Sequence, residues 1–156
     1  MFPVTFLHGA ALAMQPQDKA KTSMLVVGVG YSEETLLDMN ARALDYTPPA
    51  DDYSNTGDAR SEHFGHADGF LSFVNDELKP TIADNYHVDS NNQTLIGHSY
   101  GALFALYALF SQPESFSTYI ISSPSIWWNN SRILSYFEDF KTTHQKIKSP
   151  LHIRIT

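Results

Sequence analysis

Apolar residues fall into short runs separated by longer amphipathic stretches. Ser23–Tyr31 reads SMLVVGVGY, a Val-rich run punctuated by glycine. Continuous apolar character over so short a span predicts a buried parallel strand. Gln93–Ile96 and Thr118–Ser122 are two further strand candidates, and Leu151–Ile155 alternates as a fourth. Between them the period changes. Phe70, Phe73, Val74 and Leu78 line one helical face within Phe70–Asn85, and Pro80 is expected to kink or end that helix. Ala102–Ser111 is apolar on nearly every face, which predicts a buried helix, and Ile133–Phe140 is a further helix candidate. Strands alternating with helices predict an α/β fold, a mostly parallel sheet flanked by helices, with no domain boundary in view.

Two segments resist this reading. Within Met1–Met14, Val4–Leu7 fits a strand, but Phe2, Phe6, Ala10 and Ala13 also sit at helical spacing. From Ser32 to Gly69 the pattern breaks down, and Asp45-Tyr46-Thr47-Pro48-Pro49 and Asn55-Thr56-Gly57-Asp58 are turn chemistry. Polar excursions of that length are usually functional or disordered.

The totals remove several classes of function. Ten Lys and Arg against seventeen Asp and Glu give a formal charge of −7. Nucleic acid and anionic membrane surfaces are poor partners for such a chain. With no cysteine, disulfides, thiolate metal sites and a Cys nucleophile are excluded. No apolar run approaches the roughly 20 residues of a membrane helix. The compartment, cytoplasmic or periplasmic, stays open.

The strongest chemical signal is TLIGHSYGALFALYALF, Thr94–Phe110: an apolar run, then Gly97-His98-Ser99-Tyr100-Gly101, then the buried helix. Gly-x-Ser-x-Gly alone recurs by chance, and its strand-to-helix context is what gives it weight. A nucleophilic Ser must stand on a sharp, strained turn to expose its oxygen above the sheet edge. Gly97 and Gly101 lack Cβ atoms, which would let strand and helix approach closely around it. Ser99 then sits at a helix N-terminus, where free N–H groups and the dipole favour a developing anion, and the Tyr100 N–H is the natural oxyanion donor. The alternative is a Gly-rich turn with Ser99 as a plain N-cap. His98 is read as a packing or hydrogen-bonding residue, because neighbours on such a turn point in different directions.

Gly97–Asn129, GHSYGALFALYALFSQPESFSTYIISSPSIWWN, resembles the esterase branch of the α/β-hydrolases. More narrowly it is similar to siderophore-esterase-like hydrolases, the periplasmic enterobactin esterases and their relatives. Leu25–Tyr31, Arg42 with Asp45-Tyr46-Thr47-Pro48, and Phe70–Pro80 carry the same resemblance. It implies a partial α/β-hydrolase fold over residues 1–156, a serine esterase acting through an acyl-enzyme on a small-molecule ester, and no cofactor. Ser99 would be the nucleophile and Tyr100 N–H an oxyanion donor. Ser123–Trp128 would lie near the mouth of the site, and Arg42 on a loop facing the same side. The resemblance places Val4–Leu7 in the first helix, with an oxyanion-bearing turn before Met1. It places the catalytic acid and His after the strand matching Leu151–Ile155. The expectation is therefore an incomplete domain, inactive by itself and prone to self-association through an exposed sheet edge. A non-enzymatic remnant and an acyltransferase are the alternatives.

The remaining candidates are weaker. His144 and His152 follow Ser99 in the order a catalytic base requires, but His144 lies in a Lys-rich stretch and His152 in the last strand. Glu138 and Asp139 read as a solvated helix face. His8-Gly9 after an apolar run fits an oxyanion-hole turn only if the run is a strand. His63 and His66, with Glu62 and Asp68 nearby, have metal-ligand spacing but no third ligand set by spacing, so no metal is expected. Gly28-x-Gly30 lacks the rest of a dinucleotide fingerprint. Trp127 and Trp128 either line the substrate pocket or pack in the core. Arg42 either steers an anionic substrate or holds Asp45.

Overall fold

The computed structural model describes residues 4–6, 24–31, 38–143 and 152–156. Its contacts divide the chain into two compact units, Met1–Asp38 and Met39–Thr156. In the first, β1 (Val4–Phe6) pairs antiparallel with β2 (Val27–Val29), with Thr5 opposite Gly28. Two expectations are corrected here. Val4–Phe6 is a strand and not part of a helix. β2 is a half-buried strand with an antiparallel partner, not a buried parallel one. Apolar content signals a strand but says nothing of its direction, which depends on a partner distant in sequence. His8-Gly9 lies outside the described residues.

The second unit opens with α1 (Met39–Tyr46), inside what the sequence presents as a loop. Tyr46 fixes it there, its ring 5.4 Å from Phe70 and 5.9 Å from Phe104. Next comes α2 (Ala67–Phe73), a π-helical turn (Val74–Leu78) and α3 (Lys79–Asn85). Pro80 therefore does not end the helix, and the distortion beside it is a π-helical turn. A proline ring collides with the carbonyl four residues back. The wider turn avoids this, and Lys79 N–H bonds to Val74 O, five residues back.

The sheet runs β3 (Thr94–His98), β4 (Thr118–Ser122), β5 (His152–Ile155), parallel throughout. Leu95 aligns with Tyr119 and Ile153, and Gly97 with Ile121 and Ile155. α4 (Tyr100–Ser111) covers this face over β3 and β4, where Tyr119 and Ile121 are fully buried. Nine of its twelve residues are buried, as an all-round apolar helix requires. α5 (Ile133–Thr143) packs on α4, its Tyr136 and Phe137 against Tyr107 and Phe110. On the opposite face Ile96 is 69% exposed; on the α4 side Ile153 and Ile155 of β5, at the sheet edge, are also exposed. Among the described residues, no helix is long and apolar enough to cross a membrane.

Lys79 clamps the π turn to the connection before β4. Its Nζ donates to Asn75 Oδ1 at 2.8 Å and to Ser115 O, and lies 3.9 Å from the centre of the Phe116 ring. Burial pulls its ammonium down to about 8. The folded pKa lies below the unfolded one, so above pH 8 the unfolded chain holds more protons and stability rises with pH. Urea midpoints should therefore climb between about pH 8 and 9.5, before the tyrosines titrate. Lys79→Met should flatten that climb, and an unchanged slope would remove Lys79 as its source.

Candidate active site

β3 ends at His98 and α4 begins at Tyr100, so a single residue, Ser99, makes the turn. It has φ 56° and ψ −117°. This is left-handed backbone for a residue with a Cβ, at a cost of order 1–3 kcal/mol. Four backbone hydrogen bonds hold it. Ser99 N–H donates to Ser122 O at 3.2 Å, and Ser99 O accepts from Ala102 and Leu103 N–H at 3.0 Å and from Ser125 N–H at 3.4 Å. As a helix N-cap residue Ser99 makes no side-chain capping bond. The hydroxyl is thus free of the structural duty that the alternative reading would give it.

The two glycines play different parts. A Cβ on Gly97 would stand 2.1 Å from Gly101 O and 2.7 Å from Ala102 N. A Cβ on Gly101 would meet nothing within 4 Å. The expectation that both relieve crowding is corrected: Gly97 does so, and what it makes room for is the backbone of Gly101. Tyr100 and Gly101 open α4, so their N–H groups lack the intrahelical acceptors available to later residues.

After β4 the chain bends at Ser123, φ 47°. Ser123 N–H donates to Thr156 O at 2.8 Å. The bend returns Ser125 over the elbow, where its Oγ lies 3.3 Å from Ser99 Oγ. Ser125 is 4% exposed. The indoles that follow part company. Trp128 is fully buried, packed against Tyr53 and Phe64, so it belongs to the core. Trp127 is 55% exposed, its ring 6.2 Å from that of Tyr100. Asn129 and Asn130 then take left-handed φ in a short turn.

Within the polar excursion, residues 47–65 form a pinned loop. Thr47 Oγ1 accepts Gly65 N–H at 2.8 Å and donates to Ala43 O, closing its ends. Asn129 Nδ2 donates to Asp52 O and Tyr136 Oη to Pro49 O, both at 2.8 Å. The loop delivers Asp58, which sequence reasoning registered only as a turn residue. Its Oδ2 accepts the Tyr100 phenol at 2.8 Å and the Ser61 hydroxyl at 3.0 Å, and its Oδ1 accepts Arg60 N–H at 2.9 Å. Burial alone would raise this carboxyl, but the donors from Arg60, Tyr100 and Ser61 outweigh it and hold it below its usual range. Burial, then Asp58, pushes the Tyr100 phenol far above its ordinary value. A neutral donor and an ionised acceptor therefore tie the first residue of α4 to the loop.

Arg42 and Asp45 lie on α1 and not on a loop. The Arg42 guanidinium stacks 5.1 Å over the Tyr46 ring, and buried Asp45 faces His66 Nδ1 at 3.4 Å. His63 borders an open hollow of about 390 Å³ with Leu44, Tyr53, Glu62 and Phe64. Among the described residues no three His, Asp or Glu are grouped to hold a metal. His98, read as a packing or hydrogen-bonding residue, is exposed, which corrects the packing alternative. His152 aligns with Thr118 and Thr94 at the start of the strands, the end away from Ser99. Five residues of strand put it on the order of 15 Å from the elbow. His144 lies outside the described residues.

Known proteins resemble this chain in sequence and fold. The profile of the family described as Putative esterase matches residues 38–154. The ferri-bacillibactin esterase BesA of Bacillus subtilis is 37% identical over 97% of this chain and 57% of its own length. The siderophore enterobactin esterase of Emericella nidulans is 39% identical over 74% of this chain and 40% of its own. The chain thus spans about half the length of these relatives. The solved siderophore hydrolase EstA from Aspergillus nidulans superposes with a TM-score of 0.73 and 36% identity, over 83% of this chain and 44% of that one. The strand–elbow–helix unit on a parallel sheet, the matched profile and these relatives agree: the chain belongs to the Putative esterase family and has an α/β-hydrolase fold.

Proposed function

We propose that Ser99 is the nucleophile of a serine hydrolase that cleaves carboxylic esters of the siderophore class. The observation that carries this is the strained, uncapped Ser99 at the mouth of α4. Backbone strain of this kind collects at functional sites, where surrounding structure must hold it. In the proposed reaction Ser99 Oγ loses its proton to a general base and bonds to the ester carbonyl carbon. The Tyr100 N–H and the positive end of α4 stabilise the oxyanion. Collapse expels the alcohol, which takes the proton, and water then hydrolyses the acyl-Ser99 ester. None of the described histidines is hydrogen-bonded to Ser99, so the reading assigns the base to residues outside the described ones.

The substrate class follows the relatives, named for action on ferri-bacillibactin and on the siderophore enterobactin. Trp127 supports it by offering an exposed aromatic wall beside Tyr100. Arg42 is committed to the Tyr46 ring, and the reading gives it no part in chemistry. The test is to treat the full-length protein with a fluorophosphonate probe, map the adduct by peptide mass spectrometry and assay a cyclic triester siderophore. Modification of Ser99 together with siderophore cleavage is expected. An adduct on another residue, or no adduct, overturns the reading.

A further inference from the structure

We propose that Ser125 is a second catalytic residue, whose hydroxyl donates to Ser99 Oγ and stabilises the negative charge that this oxygen carries in both half-reactions. The inference rests on Ser99 being the nucleophile and adds a group the elbow motif does not contain. Ser125 lies twenty-six residues beyond Ser99, on a different strand end.

Three observations converge on it. Ser125 Oγ is 3.3 Å from Ser99 Oγ, which is its hydrogen-bond partner among the described residues. Ser125 is 4% exposed, so its O–H has little access to water. A buried donor is costly to leave unpaired, which points its proton at Ser99. Finally, the chain grips Ser99 through the backbone as well, Ser125 N–H reaching Ser99 O at 3.4 Å, and takes a left-handed residue at Ser123 to get there. Strain at Ser99 and at Ser123 meets at this one pair of hydroxyls.

The direction of the bond follows from the chemistry. Ser99 must give its own proton to the base, so within the pair Ser125 donates and Ser99 accepts. In acylation the Ser99 O–H bond breaks toward the base while the bond from Oγ to the acyl carbon forms. In deacylation water gives a proton to the base as it adds to the acyl carbon, the bond to Oγ breaks, and Oγ takes that proton from the base. Negative charge builds on Oγ early in the first step and late in the second. Ser125 keeps its proton throughout. A hydrogen bond strengthens when its acceptor becomes charged, so this one contributes more to the transition states than to the resting site.

The test uses the full-length protein and its Ser125→Ala, Ser125→Thr and Ser125→Cys variants, with Ser99→Ala alongside. Ser125→Ala should slow fluorophosphonate labelling and lower kcat on p-nitrophenyl esters by about 10- to 100-fold, the range for a hydrogen bond to a charged group. KM should change little, because the hydroxyl meets the reacting atom and not the bound substrate. Ser125→Thr, which keeps the hydroxyl, should recover most of the loss. If its extra methyl prevents folding, Ser125→Cys, a weak donor of similar size, should fall between Ser and Ala. A purely structural role would instead lower the melting temperature and cut active protein without this ordering. Ser125→Ala within threefold of wild type, or Ser125→Cys no faster than Ala, overturns the proposal while leaving Ser99 in place. Wild-type labelling in Ser99→Ala removes the nucleophile, and Ser125 with it.

Discussion

Ser99→Ala is expected to reduce ester turnover in the full-length protein by about four to six orders of magnitude and to abolish fluorophosphonate labelling. Removing the nucleophile of a serine hydrolase leaves only substrate binding and the oxyanion donors, which hold a residual rate well above water but far below the enzyme. The fold should survive. Alanine also carries a Cβ, so the strain at φ 56° is unchanged, and the four backbone bonds around residue 99 involve no side-chain atom of Ser99. The lost contact is the 3.3 Å bond with Ser125, and leaving that buried hydroxyl unpaired costs about 1–3 kcal/mol. The decisive comparison is kcat/KM beside a thermal unfolding curve. Turnover within a hundredfold of wild type, with the melting temperature unchanged, would assign the chemistry to another residue.

Gly97→Ala should be severely damaging, because among the described glycines it is Gly97 whose added methyl would strike backbone. The added carbon would stand 2.1 Å from Gly101 O, 2.4 Å from Gly101 C and 2.7 Å from Ala102 N. These are backbone atoms of the first turn of α4, and no rotamer change moves them aside. The helix must lift from β3 or the strand must bend. Overpacking ordinarily costs about 1–3 kcal/mol, and a clash with backbone at this distance belongs at or above that upper end. That is a large share of the roughly 5–15 kcal/mol that holds a domain together. Activity should fall further than stability, because a shift of about 1 Å at a catalytic group costs about a hundredfold. Gly101→Ala is the matched control. Its Cβ meets nothing within 4 Å, and alanine is the better helix former by about 1 kcal/mol, so stability should hold or rise. Chemical denaturation of the two variants decides it, and equal losses would show that the crowding is not at Gly97.

The elbow was legible because everything that makes it is local. An apolar run, one glycine, one serine and a helix apolar on all faces occupy consecutive positions from Thr94 to Ser111, and each forms what its own period dictates. β4 and the helix from Ile133 were legible on the same ground. α1 was hidden because its eight residues, MNARALDY, run straight into the Asp45–Pro49 turn chemistry. It exists through Tyr46 packing on Phe70 and Phe104. Of the two outcomes expected at Pro80, a kink or an end, the end did not occur, because a helix that can widen by one residue absorbs the ring.

The amino-acid order by itself determined the α/β class, the strand–elbow–helix unit and Ser99 as the candidate nucleophile. It also determined the absence of thiol chemistry. The tertiary structure alone decided which residues surround Ser99. Asp58 reaches Tyr100 across forty-two positions, and Ser125 reaches Ser99 across twenty-six. Of two adjacent indoles, one is buried and the other exposed. Periodicity reports the face a residue turns to its own element's neighbours. It carries no information about which distant loop will close over that face, because that pairing is set by chain closure and packing among segments with no common period.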